Sequence, residues 1–176
     1  MYSVKPSLLI ATLLLNGFLA ASLRADTELL KNGNFSEGTG SWTLDRIHDA
    51  QGSVKAESID GGKMAAHVVV SEVAAEAFHV QLFQSKLEIK AGETYHLRFR
   101  GRSQPGAKTG VNLMFAEAPW TNLWTKEITL TPEWQDFSFD VTPTQSAPNA
   151  RVTFSRLGGQ AGDYWFTEVS LTTANK

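Results

Sequence analysis

Residues 117–124 read Glu-Ala-Pro-Trp-Thr-Asn-Leu-Trp, which places two tryptophans and a carboxylate in one proline-containing segment between predicted strands. Flat aromatic side chains bury roughly 150–250 Å² each at low entropic cost, as stacking on the apolar face of a sugar ring requires. We therefore take Trp120, Trp124 and Glu117 as candidate ligand-binding residues of a kind that suits a sugar. Trp120 is the stronger candidate, because Trp124 adjoins the next predicted strand. The alternative is that one tryptophan closes the end of the fold.

A second set of candidates is polar and lies on predicted strands. Amides and guanidinium groups bond sugar hydroxyls at about 0.5–1.5 kcal/mol net per hydrogen bond, which makes Gln81, Arg98 and Asn112 candidate ligand-binding residues. Their neighbours on the same predicted faces are His79, Phe83, His96, Arg100, Met114 and Ser155. Two alternatives stay open. The face is an ordinary solvated side of a sheet, or the strands belong to opposite sheets and share no surface.

Arg98, Arg100 and Arg102 lie at two-residue spacing, which places them on one face of a strand. Three guanidinium groups in such a row repel one another unless carboxylates neutralise them. A polymer of uronic acids would supply those carboxylates. Acidic side chains on the neighbouring strands would supply them equally well, so the sequence leaves both explanations open.

Alternating apolar and polar residues, bounded by Gly, Pro, Asn and Asp, predict a chain of short strands. The predicted strands are residues 43–47, 64–71, 78–84, 94–103, 111–116, 125–130, 135–141, 151–156 and 164–171. This pattern predicts an all-β fold, and we expect a two-sheet antiparallel β-sandwich of the jelly-roll type. We expect Phe78, Val80 and Leu82 to face its core, and residues 73–77 are compatible with a single helical turn.

The remaining tryptophans are expected to be structural. Trp42 follows the Gly-rich opening turn, and Trp134 directly precedes a predicted core strand. Trp165 alternates with Val169 on the last predicted strand. We therefore expect Trp165 to face the core.

Residues 1–25 have the pattern of a secretory signal peptide. Lys5 precedes an apolar run from Leu8 to Ala21, and a small-residue cleavage site follows before Asp26. The apolar run is too short and too interrupted for a membrane span. We expect export, to the periplasm or out of the cell, of a single domain over residues 26–176.

Charge and cysteine content limit the partners. The chain has 16 basic and 18 acidic side chains and a net charge of −2. Without Lys5 and Arg24 of the predicted signal peptide, 14 basic side chains face 18 acidic ones, a net charge of −4. This mild acidity argues against a nucleic-acid partner. The chain has no cysteine, so no disulfide stabilises it.

Several short motifs follow one another along the chain: residues 29–35 (Leu-Leu-Lys-Asn-Gly-Asn-Phe), 40–42 (Gly-Ser-Trp), 91–95 (Ala-Gly-Glu-Thr-Tyr), 134–139 (Trp-Gln-Asp-Phe-Ser-Phe) and 168–171 (Glu-Val-Ser-Leu). Their order resembles the CenC-like carbohydrate-binding modules, which comprise carbohydrate-binding module families four, nine and twenty-two. The resemblance implies a galactose-binding-like sandwich that binds polysaccharide or oligosaccharide without catalysis. It also implies that Gln81 and Gln84 contact the sugar, and that a glycoside hydrolase is a partner in trans.

The same resemblance implies a structural calcium ion (Ca2+) between the first and last strands. The carboxylates usual at those places are partly replaced, because the matching positions are Ser36, Thr167 and Glu168. Calcium prefers several charged oxygen ligands. Glu37 and Glu168 are therefore the candidate metal ligands.

Motifs for catalysis are missing from the sequence. It contains no Gly-x-Ser-x-Gly elbow, His-Glu-x-x-His or P-loop, and we assign no catalytic residue. A glycosidase needs two carboxylates about 5–9.5 Å apart, and Glu117 paired with Glu127 or Asp136 stays open. The rivals to sugar binding are a structural or protein-interaction sandwich and, less favoured, a small polysaccharide hydrolase or lyase.

Overall fold

The computed structural model of the protein describes residues 26–173, so the predicted signal peptide lies outside the described residues. Strands make up most of this part of the chain. They are β1 (Thr43–Arg46), β2 (Gly52–Ser58), β3 (Met64–Val70), β4 (Val80–Ile89), β5 (Tyr95–Ser103), β6 (Lys108–Phe115), β7 (Asn122–Thr129), β8 (Gln135–Val141), β9 (Ala147–Ser155) and β10 (Gly162–Thr173). Three 3₁₀ turns join them, at Asp60–Gly62, Ala77–His79 and Leu157–Gly159.

The strands form two antiparallel sheets of five strands each. The first, which we call the cleft sheet, has the order β1-β4-β9-β6-β7. The second, the opposite sheet, has the order β2-β3-β10-β5-β8. Their inner faces enclose the core, as in other sandwiches. The predicted all-β, two-sheet antiparallel sandwich is confirmed.

Aromatic rings join the two sheets across the core. Phe154 of β9 stacks on Phe166 of β10 with ring centroids 4.0 Å apart, so the central strands of the two sheets are in direct contact. Phe99 of β5 meets Phe154 edge-on at 5.0 Å. Trp42 is buried, as predicted, and packs on Phe35 with ring centroids 5.4 Å apart.

A β-bulge in β10 overturns the prediction for Trp165. The register of β10 against β5 shifts after Thr167. Core-facing positions are even-numbered before the bulge, as at Phe166, and odd-numbered after it, as at Val169. Trp165 therefore faces outward and stacks on His67 at 4.5 Å. Its predicted place in the core is wrong.

Phe78 is a second residue whose predicted direction is wrong. Val80 and Leu82 are completely buried, as expected, but Phe78 is 49% exposed. The reason is that β4 begins only at Val80 and Phe78 belongs to the 3₁₀ turn before it. The two-residue alternation of a strand no longer sets side-chain direction there. The helical turn suggested within residues 73–77 is instead this turn at Ala77–His79.

The opening segment is fastened to the last strand by backbone hydrogen bonds. The N–H of Leu29 donates to the carbonyl of Leu171 at 2.9 Å, and the N–H of Val169 donates to the carbonyl of Gly33 at 2.9 Å. A Cβ at position 33 would lie 1.8 Å from the carbonyl oxygen of Val169. Close backbone approach therefore requires glycine in the opening motif.

Tyr164 makes the fold less stable at alkaline pH. Its ring is fully buried, and its hydroxyl donates to the carbonyl oxygens of Leu157 (3.1 Å) and Gln160 (3.0 Å). Burial raises the pKa of Tyr164 to about 12, against roughly 10 in an unfolded chain. The folded state disfavours the phenolate, so this contribution is complete below pH ~10 and is lost as the pH rises towards ~12.

We expect the free energy of unfolding to fall between pH ~9 and ~11.5 by about 2 kcal/mol more in the protein than in the Tyr164→Phe variant. The comparison removes the contribution of other groups that titrate in this range. Urea unfolding at a series of pH values measures the difference. Parallel pH profiles for the two proteins would contradict the role given to Tyr164.

Candidate functional site

A cleft of about 620 Å³ lies on the outer face of the cleft sheet. This volume falls within the range of about 300–1,000 Å³ that is usual for small-molecule sites. Side chains of β4, β9 and β6 form its floor. Its rims come from Asp45 of β1, from the turn before β4, and from β7 with the β6–β7 loop.

Strand register brings the polar floor residues together. Asn112 of β6 lies opposite Thr153 of β9 and Thr125 of β7, and Thr125 Oγ1 donates to Asn112 Oδ1 at 3.1 Å. Gly110 lies opposite Ser155. A Cβ at Gly110 would lie 2.5 Å from Ser155 Oγ, so the glycine keeps the floor low at this point.

The guanidinium group of Arg151 lies in the floor between two aromatic rings. Its Cζ is 4.6 Å from the ring centroid of Phe83 and 5.3 Å from that of Trp120. Nη2 donates to Gln81 Oε1 at 3.3 Å, and Nη1 lies 3.9 Å from Asp45 Oδ2. Burial lowers the pKa of Arg151, and the charge of Asp45 partly offsets this shift.

Two deeply buried polar atoms in the floor of the cleft lack hydrogen bonds to other described residues. The Nε of Arg151 and the Oγ1 of Thr153 have no hydrogen-bond partner among residues 26–173. Buried polar groups usually find partners, since an unmade hydrogen bond costs about 1–3 kcal/mol. Within residues 26–173 the guanidinium of Arg151 has two polar contacts, both long, with Gln81 and Asp45, so it retains capacity to bond oxygen atoms of a ligand.

Two exposed aromatic rings stand at the rims of the cleft. Trp120 is 52% exposed and Phe78 is 49% exposed. The β6–β7 loop that presents Trp120 is closed by backbone hydrogen bonds from Trp120 to Glu117 (2.9 Å) and from Phe115 to Thr121 (3.0 Å). Exposed large rings beside a polar floor provide both components of sugar recognition, stacking and hydrogen bonding.

The charges around the cleft nearly balance. Its lining includes the carboxylates of Asp45, Glu76 and Glu127 and the guanidinium groups of Arg151 and Arg156. Glu127 is shared between Lys108 at 3.4 Å and Arg156 at 3.7 Å. The cleft therefore has no excess of positive charge with which to attract an anion.

Three of the predicted ligand-binding residues, Trp120, Gln81 and Asn112, come together in the cleft. Glu117 lies in the same loop as Trp120 and is exposed. Its carboxylate accepts a hydrogen bond from Asn149 Nδ2 at 2.7 Å.

The other three predicted residues lie elsewhere. The buried amide of Gln84 bonds the backbone N–H and carbonyl of Lys31 at 2.7 and 2.8 Å, so it fastens the opening segment. Trp124 packs against the core, with its ring centroid 5.3 Å from that of Phe139. Arg98 is exposed on β5, in the opposite sheet.

Arg151 and Phe78 line the cleft but are not among the residues predicted to bind a ligand. A signal for Arg151 is present, because it shares its side of β9 with Thr153 and Ser155, opposite the core residues Val152 and Phe154. All of these side chains are buried, since β9 is a central strand of its sheet. A lone arginine on the polar side of a central strand indicates a buried charge with a specific use.

The candidate calcium ligands do not fit a calcium site. Glu168 forms an ion pair with Lys63, and that positive charge opposes a cation. Glu37 is exposed, and its backbone N–H donates to Asn32 Oδ1 at 3.1 Å. Residues 26–173 contain no group of three or more His, Cys, Asp or Glu side chains that could hold a metal ion. Calcium stays a prediction from the resemblance alone.

No helix between residues 26 and 173 is long and apolar enough to cross a membrane.

A β-sandwich whose open cleft combines exposed aromatic rings, amides and an under-bonded guanidinium has the features of a sugar-binding module. The family model of the carbohydrate binding domain CBM_4_9 matches residues 27–156. The chain belongs to this family and is a carbohydrate-binding module. The resemblance to CenC-like modules is confirmed.

Several solved structures have a similar fold. A CBM4 structure has a TM-score of 0.73 and 21% identity, covering 82% of this chain and 99% of its own. The second N-terminal cellulose-binding domain of Cellulomonas fimi β-1,4-glucanase C has a TM-score of 0.64 and 20% identity, covering 89% and 100%. TmCBM61 in complex with β-1,4-galactotriose has a TM-score of 0.57 and 18% identity, covering 84% and 99%. These similarities show the fold. No curated protein matches the chain.

Proposed function

We propose that the module binds a neutral oligosaccharide or polysaccharide in the cleft and catalyses no reaction. The observation that carries this proposal is the exposed ring of Trp120 beside the buried, under-bonded guanidinium of Arg151. The ring supplies a stacking surface, and Arg151, Gln81 and Asn112 supply hydrogen bonds to hydroxyls. Such a site has an affinity in the mM to µM range, about −4 to −8 kcal/mol.

The balance of charge favours a neutral sugar over an acidic one. Three carboxylates line the cleft beside two guanidinium groups, and a uronate would have to approach these carboxylates closely. Like charges in close contact are unfavourable. Cellulose and β-1,4-galactotriose, the sugars named for two structures of similar fold, are both uncharged. Soluble β-1,4-linked glucan and galactan are therefore the first ligands to test.

The positions of Glu117, Glu127 and Asp136 argue against the two glycosidase pairs that the sequence leaves open. Asp136 lies in the opposite sheet, so it shares no site with Glu117. Glu117 precedes β7, whereas Glu127 lies near its far end. The strand between Asn122, the first residue of β7, and Glu127 already spans roughly 17 Å. This is more than the 5–9.5 Å that separates the two carboxylates of a glycosidase.

We also propose that the protein is exported and acts beside a polymer-degrading enzyme. The pattern of residues 1–25 supports export. A glycoside hydrolase in trans is the partner that such a module would hold near its substrate. Detection of the protein in the periplasm or culture medium tests the first part of this proposal.

Trp120→Ala is expected to weaken sugar binding by about tenfold or more and to leave the melting temperature unchanged. The exposed ring contributes stacking area to the ligand and little to the core, since aromatic contacts dominate such interfaces. Affinity electrophoresis in gels that contain β-glucan, galactan, xylan or mannan measures the retardation of both proteins, with and without a calcium chelator.

Trp124→Ala is the matched control, because it removes a tryptophan that lies only four residues further along the chain but packs against the core. We expect it to lower stability and to retain binding once folded. Equal retardation of Trp120→Ala and the unaltered protein would contradict the stacking role. Free migration of the unaltered protein in every neutral gel would favour the protein-interaction alternative, and release of reducing ends would favour the hydrolase.

A further inference from the structure

The outer face of the opposite sheet carries a continuous stack of rings and guanidinium groups. We call it the Arg–Trp ladder, made of His67, Trp165, Arg102, Trp134 and Arg100. His67 stacks on Trp165 at 4.5 Å, and Arg102 Cζ lies 4.7 Å from the Trp165 ring and 4.9 Å from the Trp134 ring. Arg100 Cζ lies 5.4 Å from the Trp134 ring. Arg102 is thus fixed between two indoles, and stacking leaves the N–H edge of a guanidinium group able to bind.

Two arginines on this face have no carboxylate that balances their charge. Neither Arg98 nor Arg102 forms an ion pair with any residue between 26 and 173, and the Nε of Arg102 is buried without a hydrogen-bond partner there. Arg98 is exposed and lies opposite Ser138 and Ser170 on its two neighbouring strands. Of the three arginines, Arg100 is the one that forms an ion pair within the described residues, with Asp136 Oδ1 at 3.2 Å from its Nε.

Several carboxylates on or near this sheet have partners of their own. Glu57 bonds both Lys55 and His67. The bond from Lys55, and to a smaller extent that from His67, lowers the pKa of Glu57. Asp163 Oδ1 lies 2.5 Å from Nε2 of the same histidine. Glu28 accepts a hydrogen bond from Ser170 Oγ at 2.5 Å. Asp140 Oδ1 lies 2.6 Å from His96 Nδ1. Among residues 26–173, no carboxylate oxygen lies within 4.0 Å of a guanidinium nitrogen of Arg98 or Arg102, so both groups are available to pair with an anionic ligand.

We propose that the face around Arg98 and Arg102 is a second binding site, which takes an anionic polysaccharide that bears carboxylate or sulfate groups. Guanidinium groups pair with both anions through parallel N–H donors. The arginines lie on one strand face, four residues or roughly 13 Å apart, so one extended polymer can span them. A glycan is the favoured polyanion because the protein is a carbohydrate-binding module.

This site is independent of the cleft. It lies on the other sheet, across the full thickness of the sandwich. Both ring faces of Trp165 are covered, by His67 and by Arg102. The Trp165 ring therefore has no open face for stacking, and the ladder offers charged guanidinium edges to a ligand. The chain as a whole is acidic, with a net charge of −2, so non-specific attraction of polyanions is not expected.

The test is affinity electrophoresis of the protein in gels containing polygalacturonate, sulfated dextran or neutral dextran, at several salt concentrations. The double variant Arg98→Ser/Arg102→Met removes both charges, and methionine keeps an apolar chain between the indoles. Arg46→Ser removes one exposed charge from β1 as a control. We expect salt-sensitive retardation by an anionic gel and at least about tenfold weaker binding in the double variant, since charge-assisted bonds are the strong ones. Arg46→Ser should behave like the unaltered protein.

The outcomes separate this site from the cleft. Retardation by polygalacturonate alone identifies a carboxylate ligand, and retardation by sulfated dextran alone identifies a sulfate ligand. Trp120→Ala should leave anionic retardation intact, and the double variant should leave neutral-glycan retardation intact. The proposal is overturned by free migration in both anionic gels. It is equally overturned if the double variant, shown by its melting curve to be folded, is retarded like the unaltered protein.

Discussion

Phe154→Ala is expected to lower the free energy of unfolding by about 3–5 kcal/mol, as buried phenylalanine truncations do. The ring is completely buried and lies 4.0 Å from Phe166, 5.0 Å from Phe99 and 6.3 Å from Trp42, measured between centroids. Its removal leaves a cavity at the contact between the two sheets, where rigid strands limit relaxation. The loss is a large part of the stability of about 5–15 kcal/mol that a domain has.

Urea unfolding followed by tryptophan fluorescence measures this loss. Phe78→Ala is the matched control, because it removes the same ring from an exposed position. We expect it to change stability by no more than about 0.5 kcal/mol. A Phe154→Ala variant as stable as Phe78→Ala would show that the stacked rings do not hold the sheets together.

Local sequence determines most of the fold of the described residues, because strand alternation follows directly from side-chain polarity. The predicted bounds of residues 135–141 match β8, and those of β1, β3 and β5 differ by one residue. β2 is missed, since Val54 and Ala56 are its only aliphatic residues among Ser, Lys and Glu. The alternation also fails at the bulge of β10, where the core-facing residues change from even-numbered to odd-numbered positions.

The cleft is less predictable because its residues meet only after strands are assigned to sheets. Gln81 and Arg98 both read as polar strand positions, yet β4 and β5 belong to different sheets. Nothing local in the sequence shows that Gln84 is held by Lys31, since that contact joins residues far apart in the chain. Three predicted residues, Trp120, Gln81 and Asn112, do lie at the cleft.

Arg151→Met is expected to weaken sugar binding in the cleft by about thirtyfold or more, because hydrogen bonds to charged groups contribute about 1.5–3 kcal/mol each. Its effect on stability should be small or favourable. The guanidinium is buried, its nearest carboxylate atom is 3.9 Å away, and its Nε has no partner in residues 26–173. Replacement of such a buried charge by an apolar side chain of similar length is often neutral or stabilising. Asp45, which loses its partner, remains accessible to water.

Isothermal titration with the neutral oligosaccharide selected by affinity electrophoresis, together with thermal melts, measures both quantities on the same variant. Arg156→Met is the matched control, because Arg156 lines the same cleft but its side chain is 58% exposed. We expect it to weaken binding by no more than about threefold, as exposed charge pairs contribute about 0.2–1 kcal/mol. Unchanged binding with a large loss of stability in Arg151→Met would assign the guanidinium to the fold. Lost binding with intact stability would show that the module keeps a poorly bonded buried charge in order to bind its ligand.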